Sequence, residues 1–582
     1  MLSRRTPSCG LVLLLGLLAS SAIGQPPAEP TPATPSNQTA LSDQGTPPDP
    51  AAPSTQPDAI DTVVICCRQW RSELQAWGEL RREQGHAIHW LEPDTAEQLD
   101  ANLKSLAQQH PNLRYVVIVG DVPMTAERQF HQIPTHYIAA QVTHRWGSTR
   151  HIASDTPYAD NDGDGTPELA IGRIPAGTTT ELRQIVAKVL DYERNKDFGL
   201  WRRQINLTAG TGNFGPLIDG AIEMAAKQFI TQKIPAAYET DLCYANWRSP
   251  YCPPMSALRT TALEQLQGGA AAWVYMGHGL PDRLGTPGPD GKPCWVLTPD
   301  EVRQLHRCPQ PPIALILACY AAAYDARSDS VAEQLLKAPG GPVAVIGGTR
   351  VTMPYGLSLL SLGLLEHWFE HPAPTVGDLV LSAKRELVHP DQDDPSTKWL
   401  DALAQLFHPQ RDQLAAERLE HAHLVQLLGD PLLTLTHPAE LELQASGEAS
   451  PGTTVIVRGQ ASFDGEATVE LVCRRDRLTF DPPARRSWPD LEGDAALALA
   501  TRERANDRRW NSIALPVAAG PFEVRLTVPE SAHGPGHVRV FLQGADRCAA
   551  AAIPLEVAET APKESPRTAQ LPADDATTAG SR

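Results

Sequence analysis

Two apolar runs in this chain end on side chains able to do covalent chemistry. One is Ala272-Trp273-Val274-Tyr275-Met276-Gly277-His278-Gly279, and the other is Ile313-Ala314-Leu315-Ile316-Leu317-Ala318-Cys319. A thiol attacks a carbonyl carbon only as thiolate, and a neighbouring imidazole promotes its ionisation and carries the proton. Cys319 is therefore read as a nucleophile and His278 as its acid/base partner. The glycines beside His278 let a substrate backbone come close, and the N–H groups of Gly279 and Cys319 are the candidate oxyanion hole. Taken singly, each residue has an ordinary reading, a core thiol or a histidine in a turn. Their joint occurrence at corresponding strand ends favours chemistry.

Two further groupings carry ligand-type side chains. Asp160, Asp162 and Asp164 alternate with Asn and Gly, and Glu168 follows. Hard oxygen ligands at every second position of a tight loop suit a structural Ca2+. Position twelve is Ile171 rather than the glutamate of an EF-hand, and a solvated turn is the plain alternative. The other grouping, His367-Trp368-Phe369-Glu370-His371, matches the H-x-x-E-H pattern of inverted zinc peptidases. Pro372 and Pro374 stop any helix there and no third ligand follows, so a helix end with solvated histidines is preferred. Walker, nucleophile-elbow and H-E-x-x-H patterns are absent.

Those side chains need elements to position them. Short apolar runs at 63–66, 87–90, 115–119, 205–208, 272–275, 313–317 and 343–346 alternate with helical stretches at 72–84, 180–196 and 330–337. Continuous apolar strands separated by helices imply parallel sheets covered on both faces. The expectation is two doubly wound α/β subdomains, 59–200 and 201–437. If the strands ending in His278 and Cys319 are parallel neighbours, roughly 4.8 Å apart, both side chains emerge on one rim. From 438 to 557 the pattern alternates as in β structure, with runs at 453–457, 468–472, 522–526 and 537–541. An immunoglobulin-like β-sandwich is expected there.

The ends read differently. Arg4 and Arg5, an apolar stretch from Leu11 to Leu18 and small residues up to Gly24 describe a secretory signal peptide over 1–24. Residues 25–58 are a Pro-rich linker and 558–582 a tail of similar character, neither able to bury apolar area. A net charge of −18 excludes a nucleic-acid or anionic-membrane partner of the usual basic kind. No segment is long and apolar enough for a membrane helix. Export permits disulfides, and Cys243/Cys252, Cys294/Cys308 and Cys473/Cys548 are the candidate pairs, whereas Cys66 and Cys67 read as core thiols.

These motifs together resemble the gingipains, in the clan that also holds caspases and legumains. Beyond Gly277-His278-Gly279 and Leu317-Ala318-Cys319, the match rests on three further motifs. They are Val119-Gly120-Asp121, the run from Tyr158 through Asp160-Asn161-Asp162-Gly163-Asp164-Gly165 to Gly172-Arg173-Ile174-Pro175, and Leu428-Gly429-Asp430-Pro431. It covers about 61–437. The resemblance implies two α/β subdomains, the second caspase-like and carrying a Cys–His dyad, then an immunoglobulin-like domain, with bound calcium. It also implies an acidic group behind the histidine, which Ala209-Gly210-Thr211-Gly212-Asn213-Phe214 does not supply; Asn213 is a substitute candidate. Asp219 lies near the position from which the family reads a basic side chain, so Arg or Lys at the scissile position is an expectation, with an ordinary helical Asp as the alternative. The reading is an exported cysteine endopeptidase, secreted, periplasmic or at the cell surface, acting on proteins and peptides and needing no cofactor for catalysis. The alternatives are a catalytically silent surface-binding protein of the same fold and, behind it, a zinc peptidase using 367–371.

Overall fold

Runs of β-branched and aromatic residues such as Thr62-Val63-Val64-Ile65-Cys66 and Tyr115-Val116-Val117-Ile118-Val119 are apolar along their whole length, so they are stable only with both faces covered. A computed structural model describes residues 60–123, 129–288, 292–487, 490 and 493–558. The signal segment, the linker and all but the first residue of the tail lie outside these. In chain order the first strands and helices are β1 (Thr62–Cys66), α1 (Gln75–Glu83), β2 (Ile88–Leu91), α2 (Ala96–Gln109), β3 (Tyr115–Val119), β4 (His136–Ala139), β5 (His151–Ser154), β6 (Ala170–Ile174) and α3 (Thr179–Glu193). There follow β7 (Gln204–Ala209), α4 (Pro216–Gln232), β8 (Glu239–Tyr244), α5 (Leu258–Gln267), β9 (Ala272–Met276), β10 (His278–Leu280), β11 (Arg283–Pro287) and β12 (Pro293–Leu297). The α/β part closes with α6 (Pro299–Val302), β13 (Ile313–Leu317), α7 (Val331–Lys337), β14 (Ala344–Gly348), α8 (Pro354–Leu365), α9 (Val376–Val388), α10 (Pro395–Phe407), α11 (Leu414–Leu424) and β15 (Val425–Leu428).

Ten of these strands form one sheet in the order β2-β1-β3-β6-β15-β14-β13-β9-β7-β8. Neighbours run parallel except at β14/β15, which are antiparallel. The two expected α/β units therefore share a continuous sheet whose halves run in opposite directions. The second half has the doubly wound order 2-1-3-4-5, read along β8, β7, β9, β13 and β14, so its crossovers reverse between β7 and β9. Ligands of such sheets sit beyond the carboxyl ends at that reversal. Side-chain caps mark several helix starts. Thr178 accepts from the Glu181 N–H before α3, and Ser330 and Glu333 form a capping box before α7.

The Leu-Gly-Asp-Pro motif closes this sheet. Asp430 is fully buried and accepts from Arg81 (2.6 Å) and from the Trp77 indole, both on α1. Arg173, equally buried, pairs with both oxygens of Asp155 and donates to the carbonyls of Gly120 and Ile133. Its guanidinium also lies over the Tyr324 ring, 5.2 Å from the centroid.

Beyond residue 438 come β16 (Ala439–Glu440), β17 (Glu442–Ser446), β18 (Thr454–Ala461), β19 (Gly465–Cys473), α12 (Asp494–Asn506), β20 (Arg509–Val517), β21 (Gly520–Thr527), β22 (Gly534–Gln543) and β23 (Cys548–Val557). They make a five-stranded sheet, β16-β23-β22-β19-β20, and a three-stranded one, β17-β18-β21. The two share a core that includes Val455, Val457, Val469, Leu471, Leu526 and Val540. No helix among the described residues is long and apolar enough to cross a membrane. One expectation is corrected. Cys243, Cys252, Cys308, Cys473 and Cys548 are free thiols, so none of the pairs Cys243/Cys252, Cys294/Cys308 and Cys473/Cys548 is bridged.

Candidate active site

Four exits from the second half-sheet meet at one rim: those of β7, β9, β13 and β14. In the β9–β13 pairing Met276 lies opposite Leu317, so His278 and Cys319 each stand two residues beyond aligned positions on adjacent parallel strands. A Cβ on Gly279 would collide with the carbonyl oxygen of Cys319, and the Gly277 N–H donates to the Leu317 carbonyl at 3.3 Å. The two segments are thus in backbone contact, which explains why glycine flanks the histidine.

The sulfur leans toward the exit of β14. It accepts from the Thr352 N–H at 3.4 Å, with the Thr352 hydroxyl at 3.7 Å. Cys319 is half-buried, whereas burial pushes the thiols of Cys243 up to about 12 and those of Cys252 and Cys548 to about 11. Cys66, Cys67, Cys308 and Cys473 are raised for the same reason. Such groups are inert as nucleophiles. Tyr320, directly after Cys319, has φ +58, a left-handed conformation that costs a bulky residue on the order of 1 kcal/mol. Its surroundings hold it there. Its N–H donates to the Arg350 carbonyl (2.9 Å), and its hydroxyl accepts from the Thr149 N–H (3.3 Å). Arg350 in turn forms a bidentate pair with Asp325 at 2.8 and 2.6 Å and donates to Thr149. Among the described residues the Cys319 N–H has no hydrogen-bond acceptor.

The imidazole leans the other way, toward the exit of β7. Its Nε2 lies 2.7 Å from the carbonyl oxygen of Gly212, and the Phe214 ring is 5.9 Å away between centroids. A carbonyl oxygen only accepts, so Nε2 carries the hydrogen and Nδ1 of the neutral ring is left as the base. Sulfur and imidazole are not hydrogen-bonded to each other. The group behind the histidine is thus a backbone carbonyl, neither a carboxylate nor the side chain of Asn213. Asp219, in the first turn of α4, is half-buried, and its Oδ1 accepts from the Phe214 N–H at 3.0 Å.

The acidic loop does assemble. Ligand oxygens of Asp160, Asp162, Asp164 and Glu168 all lie within 4.8 Å of one another. Burial, and then the neighbouring carboxylates, raise the Glu168 carboxyl. Asn161 Oδ1 is buried there without a partner. This all-oxygen donor set fits a hard cation. The zinc motif does not assemble. Residues Glu366–Glu370 are wound as a π-helix, His367 Nε2 is held by Glu386 at 2.6 Å and His371 faces Glu366 at 3.8 Å. Among the described residues no three ligand groups converge at that point.

Sequence reasoning missed Thr352, Arg350 and Gly212. The first two follow β14, and the rule that pointed to residues beyond β9 and β13 applies equally to that strand. Gly212 acts through its carbonyl, which every residue possesses, so no side-chain signal marks it.

A family model described as peptidase family C25 matches residues 55–436. A curated relative, an uncharacterised protein of Archaeoglobus fulgidus, is 26% identical over 269 residues, 41% of this chain and 58% of its own length. The match therefore spans less than two thirds of that relative. Among solved structures, the Arg-specific cysteine proteinase gingipain R aligns at 17% identity over 87% of this chain and 100% of its own, with a TM-score of 0.48. The complex of Porphyromonas gingivalis RgpB pro- and mature domains aligns at 16% identity over 85% and 100%, also at 0.48. With the family model spanning most of its length, the chain belongs to peptidase family C25, the gingipain family of cysteine-type peptidases.

Proposed function

We propose that the protein is an exported endopeptidase working through Cys319 and His278. The observation that carries this is the β9–β13 register, which sets both side chains beyond aligned strand ends beside the crossover reversal. A peptide bound over that rim lies between a sulfur held by Thr352 and a ring held by Gly212. Nδ1 takes the thiol proton as the two groups close on the substrate, contacts that tighten only on binding. The thiolate adds to the scissile carbonyl, and the oxyanion is received by the N–H groups of Gly279 and Cys319. His278, now imidazolium, protonates the leaving amine through Nδ1. A water deprotonated by the same nitrogen then releases the acyl group from sulfur and regenerates the thiol.

We assign no preference for basic residues to the pocket, because Asp219 has one oxygen engaged by the Phe214 N–H. Asp160, Asp162, Asp164 and Glu168, with the orphaned Asn161 oxygen, are proposed to hold a structural Ca2+. Chelation should lower the melting temperature and calcium, not magnesium, should restore it; an unchanged melt would remove the ion. The C-terminal sandwich is read as immunoglobulin-like on its two facing sheets. Export rests on the signal segment in the sequence.

The deciding experiment uses fluorescent casein under reducing conditions, with iodoacetamide and peptide mass mapping. Wild-type chain should hydrolyse casein and be alkylated first at Cys319, and Cys319→Ala and His278→Ala should each lose hydrolysis. Undiminished hydrolysis by Cys319→Ala overturns the assignment. A folded wild type that cleaves nothing, with or without reductant, is instead the silent binding protein.

A further inference from the structure

We infer that Asp219 is a positioning residue for His278, acting through the Gly212 carbonyl rather than on substrate. The inference rests on the peptidase reading above and deepens it. The acceptor for Nε2 belongs to the six-residue loop between β7 and α4, residues 210–215. This loop has no regular hydrogen bonding of its own and is tightly wound, with Asn213 at φ +60 and Gly215 at φ +102. Asn tolerates the left-handed region better than most residues, but the conformation persists only where the surroundings over-determine it.

Two anchors supply that constraint, one on each side of Gly212. Upstream, the Thr211 N–H donates to Thr286 Oγ1 at 3.0 Å. Thr286 is 2% exposed and lies on β11, beside Gly285, the residue paired with His278 across the hairpin. Downstream, the Phe214 N–H donates to Asp219 Oδ1 at 3.0 Å. Gly212 sits against that same oxygen so closely that a Cβ there would collide with it and with the Phe214 ring. Asp219 is itself fixed by the first turn of α4, its N–H donating to the Gly215 carbonyl at 2.9 Å. The carbonyl between these anchors is the one that meets Nε2 at 2.7 Å.

A carboxylate placed directly behind a histidine orients it through one bond. Here the same orientation is reached through two, carboxylate to loop amide and loop carbonyl to ring. Among the described residues, the neighbouring loop acids Asp282 and Asp325 are occupied elsewhere, pairing with Arg283 and Arg350. Asp219 instead has a hydrogen bond that ends on the histidine's own support.

The test compares Asp219→Ala, Asp219→Asn and Thr286→Val with wild type, each first shown to be folded by thermal melting. The readouts are kcat and KM on two peptides differing only in Arg or Leu at the scissile position, and the rate of Cys319 alkylation by iodoacetamide. A displaced catalytic group costs on the order of tenfold to a hundredfold in rate. Asp219→Ala and Thr286→Val should therefore lose about tenfold or more in kcat on both peptides, with KM and the Arg-to-Leu ratio held and alkylation slowed. Asp219→Asn should stay within about threefold of wild type, because its amide oxygen still accepts from the Phe214 N–H. Three results overturn the inference: a loss confined to the Arg peptide, Asn behaving like Ala, or alkylation unchanged in Asp219→Ala. A wild type without hydrolysis and without fast alkylation at Cys319 overturns the peptidase reading itself, a distinguishable failure.

Discussion

Glu333 is a carboxyl group sealed in the interior at the start of α7, accepting from both the N–H and the hydroxyl of Ser330 at 2.7 Å. Burial pushes it up to about 8, with Asp121 and Asp329 adding repulsion and Lys337 opposing them. Lys337 bridges Asp329 at 2.8 Å and Glu181 of α3 at 3.3 Å, so the charges facing Glu333 come from the β3 exit, α3 and its own helix. The folded value lies above the unfolded one, so the fold binds the proton more tightly. The resulting stabilisation is complete below about pH 4.5 and is lost as pH rises through about 8. Glu333→Gln, which is always neutral, should melt close to wild type near pH 5 and increasingly above it toward pH 9. A constant offset across that range in a thermal melt would contradict this assignment. The same contrast of surroundings explains which side chains were legible in the sequence. Cys319 and His278 stand out because their types are reactive and their places follow apolar runs. Glu333 reads as an ordinary helix cap, and only burial makes it unusual.

Among elements, the decisive feature is β15. It returns from the end of the α/β part to lie between β6 and β14, parallel to one and antiparallel to the other. It thereby joins two half-sheets that would otherwise be separate layers. The seam is secured at Asp430, which pairs with Arg81 while Arg81 also reaches Glu193 of α3 at 2.7 Å. Removing one partner of such a pair leaves a buried charge uncompensated, at a cost of roughly 3–5 kcal/mol. Asp430→Ala should lower stability to urea by about that amount, and a loss below about 1 kcal/mol would show that Glu193 alone satisfies Arg81. The expected runs at 63–66, 115–119, 272–275 and 313–317 fall within β1, β3, β9 and β13, because a fully buried strand is apolar throughout. By contrast β8, β15 and β20 went unread. β8 is an edge strand of mixed polarity, β15 is four residues long and β20 is largely exposed. Helix α12 lies where only β structure was expected. It covers the edge of β8, where Asn506 exchanges hydrogen bonds with the Leu242 N–H (2.7 Å) and carbonyl (2.9 Å).

Across the whole molecule, the α/β part and the sandwich are tied by buried charge. Arg539 pairs with Glu470 of its own sheet (2.7 Å) and with Glu239 of β8, and Arg203 reaches Glu470 at 2.9 Å. Arg508 joins Glu239 at 2.7 Å, and Arg475 donates to the carbonyls of Pro235 and Tyr238 at 2.6 Å. All described residues fall within one compact unit. Calorimetry should accordingly show a single unfolding transition across both parts, with a midpoint unmoved by reductant because the described thiols are unbridged. Two resolved transitions, or a marked drop in dithiothreitol, would refute the corresponding half of that expectation.

By itself the sequence determined which residue types could react, which strands are buried on both faces and where the composition changes, because these follow from local polarity and periodicity. Tertiary structure alone decided that the two α/β units share one sheet and that the three candidate disulfide pairs are not bridged. It also decided that a backbone carbonyl stands behind His278 and that an arginine cluster binds the sandwich to β8. Each of these depends on the distance between groups remote in the chain, and local patterns do not encode that distance.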